Sequence, residues 1–185
     1  LAQEVAQLER LVSDLRLLSQ SDAGALDIQL APLNLSDSLG SRLTDADRWL
    51  EQSGLSLTCQ LEEDIMIRGD AQRLRQLWNN LLDNSCAYTQ SPGALRVTLG
   101  CERGQAVIVW QDSSPGVPDS ELGRLTERLY RVEGSRNRAS GGSGLGLSIA
   151  SALVSAHGGT MEASASTLGG LAWTLRFPLI SSDPY

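Results

Sequence analysis

Gly141-Gly-Ser-Gly-Leu-Gly-Leu147 runs straight into an apolar, helix-like stretch from Leu147 to Val154, and the reading of that junction decides the fold. Four glycines among seven residues favour neither helix nor strand, because each loses more backbone freedom on ordering than any other residue. Glycine is useful where a backbone must approach something closely, or where amide N–H groups turn toward an anion at a helix N-terminus. The junction therefore reads as a phosphate-binding loop feeding a helix. Taken alone, the same pattern fits a flexible linker or a tight helix–sheet contact equally well.

Composition narrows the choice. With 185 residues, 41% of them hydrophobic, the chain has room for one domain, a core and a short appendage. Phe177 is the only phenylalanine, so aliphatic side chains must dominate that core. A net charge of −7 argues against nucleic-acid binding, which needs a basic face. A local anion site remains open, since helix N-termini and a divalent cation act against the global charge. All 15 basic residues are arginine, which removes two nucleotide-binding classes at once. A P-loop and a eukaryotic-type protein kinase both need a phosphate-contacting lysine.

Cys59, Cys86 and Cys101 are odd in number and widely spaced, suggesting neither a disulfide framework nor a zinc site. No apolar run reaches membrane-spanning length and no signal peptide is evident. The sequence begins at Leu1 inside a helical pattern, from which a fragment of a longer protein is expected.

Leu1, Val5, Leu8, Val12 and Leu15 form a heptad-like seam with Glu4, Glu9, Arg10 and Asp14 off it. That helix should pack in a bundle or dimer, and the turn-like Ser19–Gly24 ends it. Beyond it, Leu26–Leu33 alternates like a strand, and Ser36–Gln52 reads as a helix with Ser36 as its N-cap. Leu55–Leu61 and Ile65–Arg68 read as a strand pair, followed by a strong helix from Ala71 to Tyr88. Ala94–Cys101 and Gln105–Gln111 form a hairpin through Arg103-Gly104. Residues 112–143 are rich in Gly, Ser, Pro and Arg, with one short helix at Asp119–Arg128, and suit a functional lid. The helix after the glycine loop runs to Ala156, and strands Thr160–Ser166 and Leu171–Pro178 close the domain. Helices alternating with antiparallel hairpins predict a mixed, mostly antiparallel sheet covered on one face by about three helices, an α+β two-layer sandwich.

The Ala71–Tyr88 helix has two faces. Leu74, Leu77, Trp78, Leu81 and Tyr88 form an apolar stripe, while Gln76, Asn80 and Asn84 recur at i, i+4 and i+8. Asn is a poor helix-interior residue because its side chain competes for backbone hydrogen bonds. Its carbonyl oxygen suits Mg²⁺, which takes oxygen donors and keeps waters beside substrate phosphates; an ordinary solvated face has the same pattern. Asp112, at a strand end before Ser-Ser-Pro-Gly116, suits an exocyclic amine such as that of adenine, or simply forms a turn. Leu125–Arg131 and Ser135–Arg138 place four arginines in the loop, whose forks suit phosphate oxygens.

The order of these elements is more specific than any one of them. An amide-bearing helix, Asp-x-x-x-Gly, an Arg/Tyr segment and then GxGLGL match the N, G1, F and G2 boxes of the GHKL, Bergerat-type ATP-binding fold. The chain resembles the catalytic domain of bacterial sensor histidine kinases. QLWNNLLDNSCAYT (76–89), ERLYRVEGSRNR (127–138) and GGSGLGLSIASALVSAHGG (141–159) look most like the envelope-stress members. Residues 1–22 resemble the second helix of that family's dimerisation domain, 23–180 its ATP-binding domain with a lid at 112–143, and 181–185 a tail.

By this resemblance Asn84 would hold Mg²⁺, Asn80 would sit beside the phosphates of ATP, and Asp112 would read the adenine amine. Gly116 would let the backbone approach the base, with Tyr88 and Tyr130 flanking the nucleotide and Arg131 reaching the terminal phosphate. Gly142, Gly144, Leu145, Gly146 and Leu147 would frame the phosphates and hinge the lid. Asn80 and Arg131 would be the catalytic pair. Related ATPases such as gyrase and the Hsp90 chaperones carry a water-activating Glu where Asn80 stands. An amide is no general base, so transfer to a protein acceptor is expected over hydrolysis.

Ala87 departs from the Lys or Arg usual there, Ser114 from the first glycine of G1, and Thr126 and Leu129 from a Phe pair. These departures bear on ATP affinity and lid closure. The single histidine, His157, reads as a helix C-terminal residue favoured by the helix dipole, so the phosphoacceptor is expected upstream of Leu1. The resemblance implies a homodimeric parent in the bacterial inner membrane, with this chain cytoplasmic and a response regulator as partner. The rival expectations are a conformational-motor ATPase and a non-catalytic regulatory module.

Overall fold

Alternating burial along the central β-strands and one buried face along the helices account for the architecture seen in the computed structural model, which describes residues 2–132 and 144–180. The chain runs α1 (Ala2–Asp22), β1 (Ala31–Asn34), α2 (Leu35–Gln52), β2 (Leu55–Leu61), β3 (Met66–Gly69) and α3 (Ala71–Tyr88). It continues with β4 (Gly93–Glu102), β5 (Gln105–Ser113), α4 (Asp119–Leu122), α5 (Gly146–Ala156), β6 (Thr160–Ala165) and β7 (Gly169–Pro178).

Five strands form one sheet in the order β2-β4-β5-β7-β6, with β2 parallel to β4 and every other pairing antiparallel. On one face Leu95, Val97, Ile108, Trp110, Trp173, Leu175 and Phe177 are buried. Against them lie Leu39, Leu43 and Leu50 of α2, Leu74, Leu77, Trp78 and Leu81 of α3, and Ile149, Leu153 and Val154 of α5. This is the two-layer arrangement expected: a mostly antiparallel mixed sheet with three helices on one face. The β4–β5 hairpin turns at Arg103-Gly104, both at positive φ (49° and 80°), as a two-residue loop matching strand twist requires.

Four local expectations are corrected. Leu55–Leu61 and Ile65–Arg68 do not pair: β2 joins β4, and β3 joins β1 in a separate two-stranded sheet. The chain turns between them at Asp64 (φ 58°), and Leu35 N–H donates to Ile65 O at 2.8 Å. Ser36 is not the N-cap of α2. Asn34 is, its Oδ1 accepting from Asp37 N–H at 3.1 Å, while the Ser36 hydroxyl donates to Glu62 O at 2.7 Å and accepts from Ile65 N–H.

The strand expected over Leu26–Leu33 is regular only from Ala31. Before it, side chains replace a ladder: Gln29 N–H donates to Asp70 Oδ2 and Arg68 to Leu30 O. The Asp119–Arg128 helix shrinks to the four residues of α4, because Pro118 offers no side-chain cap and Gly123 follows at once.

The seam on α1 is exposed at Val5, Leu8, Val12 and Leu15, while Leu17 and Leu18 enter the core and Leu11 packs against it. Leu1 lies outside the described residues, as do the lid residues 133–143 and the tail 181–185. No helix among the described residues is long and apolar enough to cross a membrane.

Candidate functional site

Asp70 starts α3 by accepting from Gln72 N–H and Arg73 N–H at 3.0 and 3.1 Å, which satisfies amides the helix leaves orphaned. With that register fixed, Leu74, Leu77, Trp78, Leu81, Leu82 and Ser85 are buried, and Gln76, Asn80, Asn84 and Tyr88 lie half-buried along the margin. Two adjacent asparagines differ in a telling way. Asn79 Oδ1 accepts from Arg42 Nε at 2.6 Å, so its amide has a structural partner. Asn80 Nδ2 is buried with no hydrogen-bond partner, a state that costs roughly 1–3 kcal/mol and is rare without a ligand or water to meet it.

β5 lies beneath α3, fixed by Trp110 Nε1–H donating to Ser85 Oγ at 3.0 Å. At its end Asp112 is 5% exposed, and its Oδ1 accepts from Leu171 N–H at 2.7 Å. Burial pushes the carboxyl up to about 6, against the opposing pull of that hydrogen bond. The loop beyond is tied to the end of α3 by Gln90 N–H donating to Ser114 O at 3.0 Å. A Cβ on Gly116 would meet Gly169 O at 3.2 Å and Gly170 O at 3.6 Å, so this loop packs backbone to backbone against the start of β7.

The segment after α4 returns to the same end of the sheet. Leu125 is buried, and the Arg124 guanidinium stacks 4.2 Å over the half-buried Tyr130 ring. Arg131 follows, also half-buried. Leu129 N–H donates to Gly144 O at 3.1 Å, which joins the segment before residues 133–143 to the one after them. Gly144 has φ 70°, and a Cβ there would press on the Leu129 backbone at 3.2 Å. Leu145 is buried at the N-cap position of α5 and no side chain caps the helix. The α5 N-terminus, at Gly146 and Leu147, therefore keeps the partial positive charge that receives anions.

Asp112 at the end of β5 and Gly116 just beyond it are thus tied to α3, which carries Asn80 and Asn84, while Tyr130 and Arg131 follow Leu129, which is bonded to Gly144 ahead of α5. Gly142, Arg136 and Arg138 lie outside the described residues. No group of three His, Cys, Asp or Glu side chains among the described residues could hold a metal ion. The half-buried Asn80 and Asn84, one turn apart on α3, carry amide oxygens of the kind a hard cation such as Mg²⁺ would take together with ligand oxygens and water.

His157 needs correction in its charge, though not in its position. It caps the C-terminus of α5, but it is 3% exposed and burial pushes its pKa down. Nδ1 lies 2.7 Å from Leu153 O, and Nε2 accepts from Asp70 N–H at 3.1 Å. The ring is therefore neutral, protonated on Nδ1, and locks the start of α3 to the end of α5.

Two functional contacts escaped the sequence. The Leu171 amide on Asp112 leaves no pattern beyond the Gly169-Gly170 pair, which signals an irregular strand start. The Arg128 guanidinium reaches Leu18 O and Asp22 Oδ1 at the end of α1, a contact between residues more than 100 apart in sequence.

A mostly antiparallel sheet covered by three helices, with a buried unpartnered amide on α3 and a buried carboxylate at the end of β5, is the arrangement of an ATPase-type nucleotide-binding fold. The profile of the histidine kinase-, DNA gyrase B-, and HSP90-like ATPase family matches residues 69–181, and the chain belongs to that family. It is 46% identical over 176 residues to the signal transduction histidine-protein kinase BaeS of Escherichia coli K12, covering 95% of this chain and 38% of that protein. Sensor protein SphS of Synechococcus elongatus is 38% identical over 178 residues, covering 92% of this chain and 43% of that protein. The chain thus spans about two fifths of the length of these curated relatives.

Among solved structures, the mycobacterial sensor histidine kinase MprB aligns with a TM-score of 0.71 at 27% identity, covering 80% of this chain and 98% of that one. The Acinetobacter baumannii histidine kinase AdeS shares the fold with a TM-score of 0.79 at 21% identity, covering 97% and 82%.

Proposed function

We propose that this chain is the ATP-binding catalytic part of a sensor histidine kinase. The parent transfers the γ-phosphoryl of Mg-ATP to a histidine outside this chain, for relay to an aspartate of a response regulator. The observation that carries this reading is the buried, unpartnered amide of Asn80. It is a polar group prepared for a ligand at the position where hydrolytic relatives need a carboxylate. An amide positions phosphate and metal but takes no proton from water, so transfer is favoured over hydrolysis.

In this reading Asn84, with Asn80 beside it, holds Mg²⁺, which neutralises charge building on the phosphates. Asp112 accepts from the adenine amine and Gly116 lets the base lie against backbone. Tyr88 and Tyr130 flank the nucleotide, and Arg131 reaches the terminal phosphate. The amides from Gly144 to Leu147 receive the remaining phosphate oxygens, with Gly142 completing that loop. Transfer then rests on positioning and charge neutralisation. His157 has both ring nitrogens engaged and is buried, which supports a phosphoacceptor elsewhere. The parent is placed in a bacterial inner membrane with this part in the cytoplasm. Residues 1–22 serve as a dimerisation helix, residues 23–180 as the catalytic domain and 181–185 as a tail.

The test mixes the chain with radiolabelled ATP and Mg²⁺. Binding without stable label and with negligible turnover is expected. Label on His157 overturns the external acceptor, and steady hydrolysis favours a conformational-motor ATPase. Failure to bind at about millimolar ATP, a weak affinity by any standard, favours a non-catalytic module. Asn84→Ala should abolish the Mg²⁺-dependent part of binding, and unchanged affinity would place the metal elsewhere.

A further inference from the structure

The pairing of β5 with β7 is regular from Gln105↔Pro178 to Gln111↔Ala172, then resumes at Ser113↔Gly169. Between those pairs one residue of β5, Asp112, faces two residues of β7, Gly170 and Leu171. This is a β-bulge, a device that releases a backbone group from the ladder and re-aims a side chain. Here the Leu171 amide is given to the carboxylate, donating to Asp112 Oδ1 at 2.7 Å.

Gly170 is buried, and what surrounds it explains its identity. A Cβ there would fall well inside 3.0 Å of Ser113 O, Asp112 Oδ1 and Asp112 O. Two of these are main-chain atoms and the third is the pinned carboxylate, so none can retreat as a flexible side-chain end would. Gly169 differs: its φ is 93°, but a Cβ would meet nothing nearer than Ser114 N at 4.0 Å. The two glycines therefore do different things, one shaping the turn and the other making room for Asp112.

We infer that the Gly170–Leu171 bulge is a positioning device that fixes the rotation of the Asp112 carboxylate and so determines which purine the site accepts. The inference rests on the nucleotide-site reading given above and deepens it. With Oδ1 held by Leu171, Oδ2 is the oxygen left to meet the base. A carboxylate held so accepts from a 6-amino group and repels a 6-oxo group, because an ionised carboxylate has no proton to donate. Losing such a charge-assisted bond corresponds to roughly tenfold to hundredfold in affinity.

The experiment measures dissociation constants by calorimetry for ATP and for purine riboside triphosphate, which lacks the 6-amino group. Wild type should prefer ATP by about ten- to hundredfold, the value of one charge-assisted hydrogen bond. Gly170→Ala should lose that preference through weaker ATP binding, with purine riboside triphosphate unchanged. Gly169→Ala, which strains the turn without touching Asp112, should keep the wild-type ratio. A Gly170→Ala protein with the wild-type ratio overturns the inference, as does an equal loss in Gly169→Ala.

Asp112→Asn gives a second reading that does not depend on Gly170→Ala folding. If Leu171 pins one carbonyl-type oxygen, the Asn amide must turn its NH₂ to the base, and inosine triphosphate should bind better than ATP. An Asn free to flip would show no such inversion, and that result also overturns the inference. A wild-type chain that binds none of these triphosphates removes the nucleotide site itself, and with it this role for the bulge.

Discussion

At Asp112, burial opposes ionisation and the Leu171 amide favours it, and burial wins, leaving the carboxyl at about 6. Because the folded value lies above the ordinary carboxylate value of 3.8, the fold prefers the protonated form. That contribution is fully present below pH ~3.8 and lost as pH rises through about 6. His157 works in the other direction. Its folded value is pushed below 6.5 by burial, so the fold prefers the neutral ring. The stability it contributes is present above pH ~6.5 and lost as pH falls through the folded value. On lowering the pH from about 7 toward 5, the two residues thus pull stability in opposite directions, partly cancelling. Asp112→Asn should expose the His157 loss as a steeper fall in melting temperature toward acid. The same variant should be more stable than wild type near pH 8, by roughly 3 kcal/mol at most given a shift of about two units. His157→Gln should expose the opposite slope, with stability rising toward acid. Parallel pH profiles for all three proteins would show that neither group is linked to folding as its burial implies.

The glycine loop shows at the level of one element how much position matters. Gly144 and Gly146 are two residues apart and look interchangeable in sequence. Gly144 sits at φ 70° with a Cβ site 3.2 Å from the Leu129 backbone, whereas Gly146 has an ordinary φ and nothing within 4 Å of its Cβ site. Gly144→Ala should therefore destabilise the nucleotide-free chain by about 1–3 kcal/mol, through left-handed strain and the contact with the lid base. Gly146→Ala, in the first turn of α5, should be neutral or stabilising by up to about 1 kcal/mol. Denaturant titration without nucleotide decides it, and equal effects of one sign would refute the distinction. The sequence alone marked this loop as glycine-rich but could not separate the two, since φ and the facing backbone belong to the folded chain. The same division runs through the fold. α3, α5 and the β4–β5 hairpin were legible because period and turn chemistry are local. The β2–β4 and β1–β3 pairings were not, because β2 and β3 look like a hairpin locally and only the turn at Asp64 and the Ser36 bridge send them apart. The family was legible because the type and order of Asn80, Asn84, Asp112 and the loop glycines carry the resemblance, and the profile match bears the family out. The bulge that aims Asp112 was hidden because it depends on register between strands more than 50 residues apart.

Across the whole molecule, α1 has two apolar faces with different fates. Leu11, Leu17 and Leu18 pack on the domain, and Arg128 of the lid segment binds the C-terminal end of the helix through Leu18 O and Asp22. The guanidinium there meets both a carboxylate and the negative end of the helix dipole, although the exposed ion pair itself adds little to stability. The other face leaves Val5, Leu8, Val12 and Leu15 between 51% and 65% exposed, at the four- and three-residue steps of a coiled-coil seam. Each residue is already between a third and a half covered, so completing its burial adds roughly 1 kcal/mol, somewhat over half the usual value for such a residue. Four per chain, doubled across a two-fold interface, give a gain on the order of 8 kcal/mol, against an association penalty of about 4–15 kcal/mol. The balance predicts weak self-association: monomer at low micromolar concentration, and dimer growing in toward the millimolar range. Sedimentation velocity over that range tests it. Leu8→Glu with Val12→Glu should abolish the dimer while leaving ATP affinity within about twofold, since neither side chain approaches the nucleotide elements and surface changes of this kind seldom propagate. A variant that still dimerises would move the interface off this seam. One that loses ATP binding along with the dimer would show that the free face of α1, and not only its docked face, is coupled to the lid.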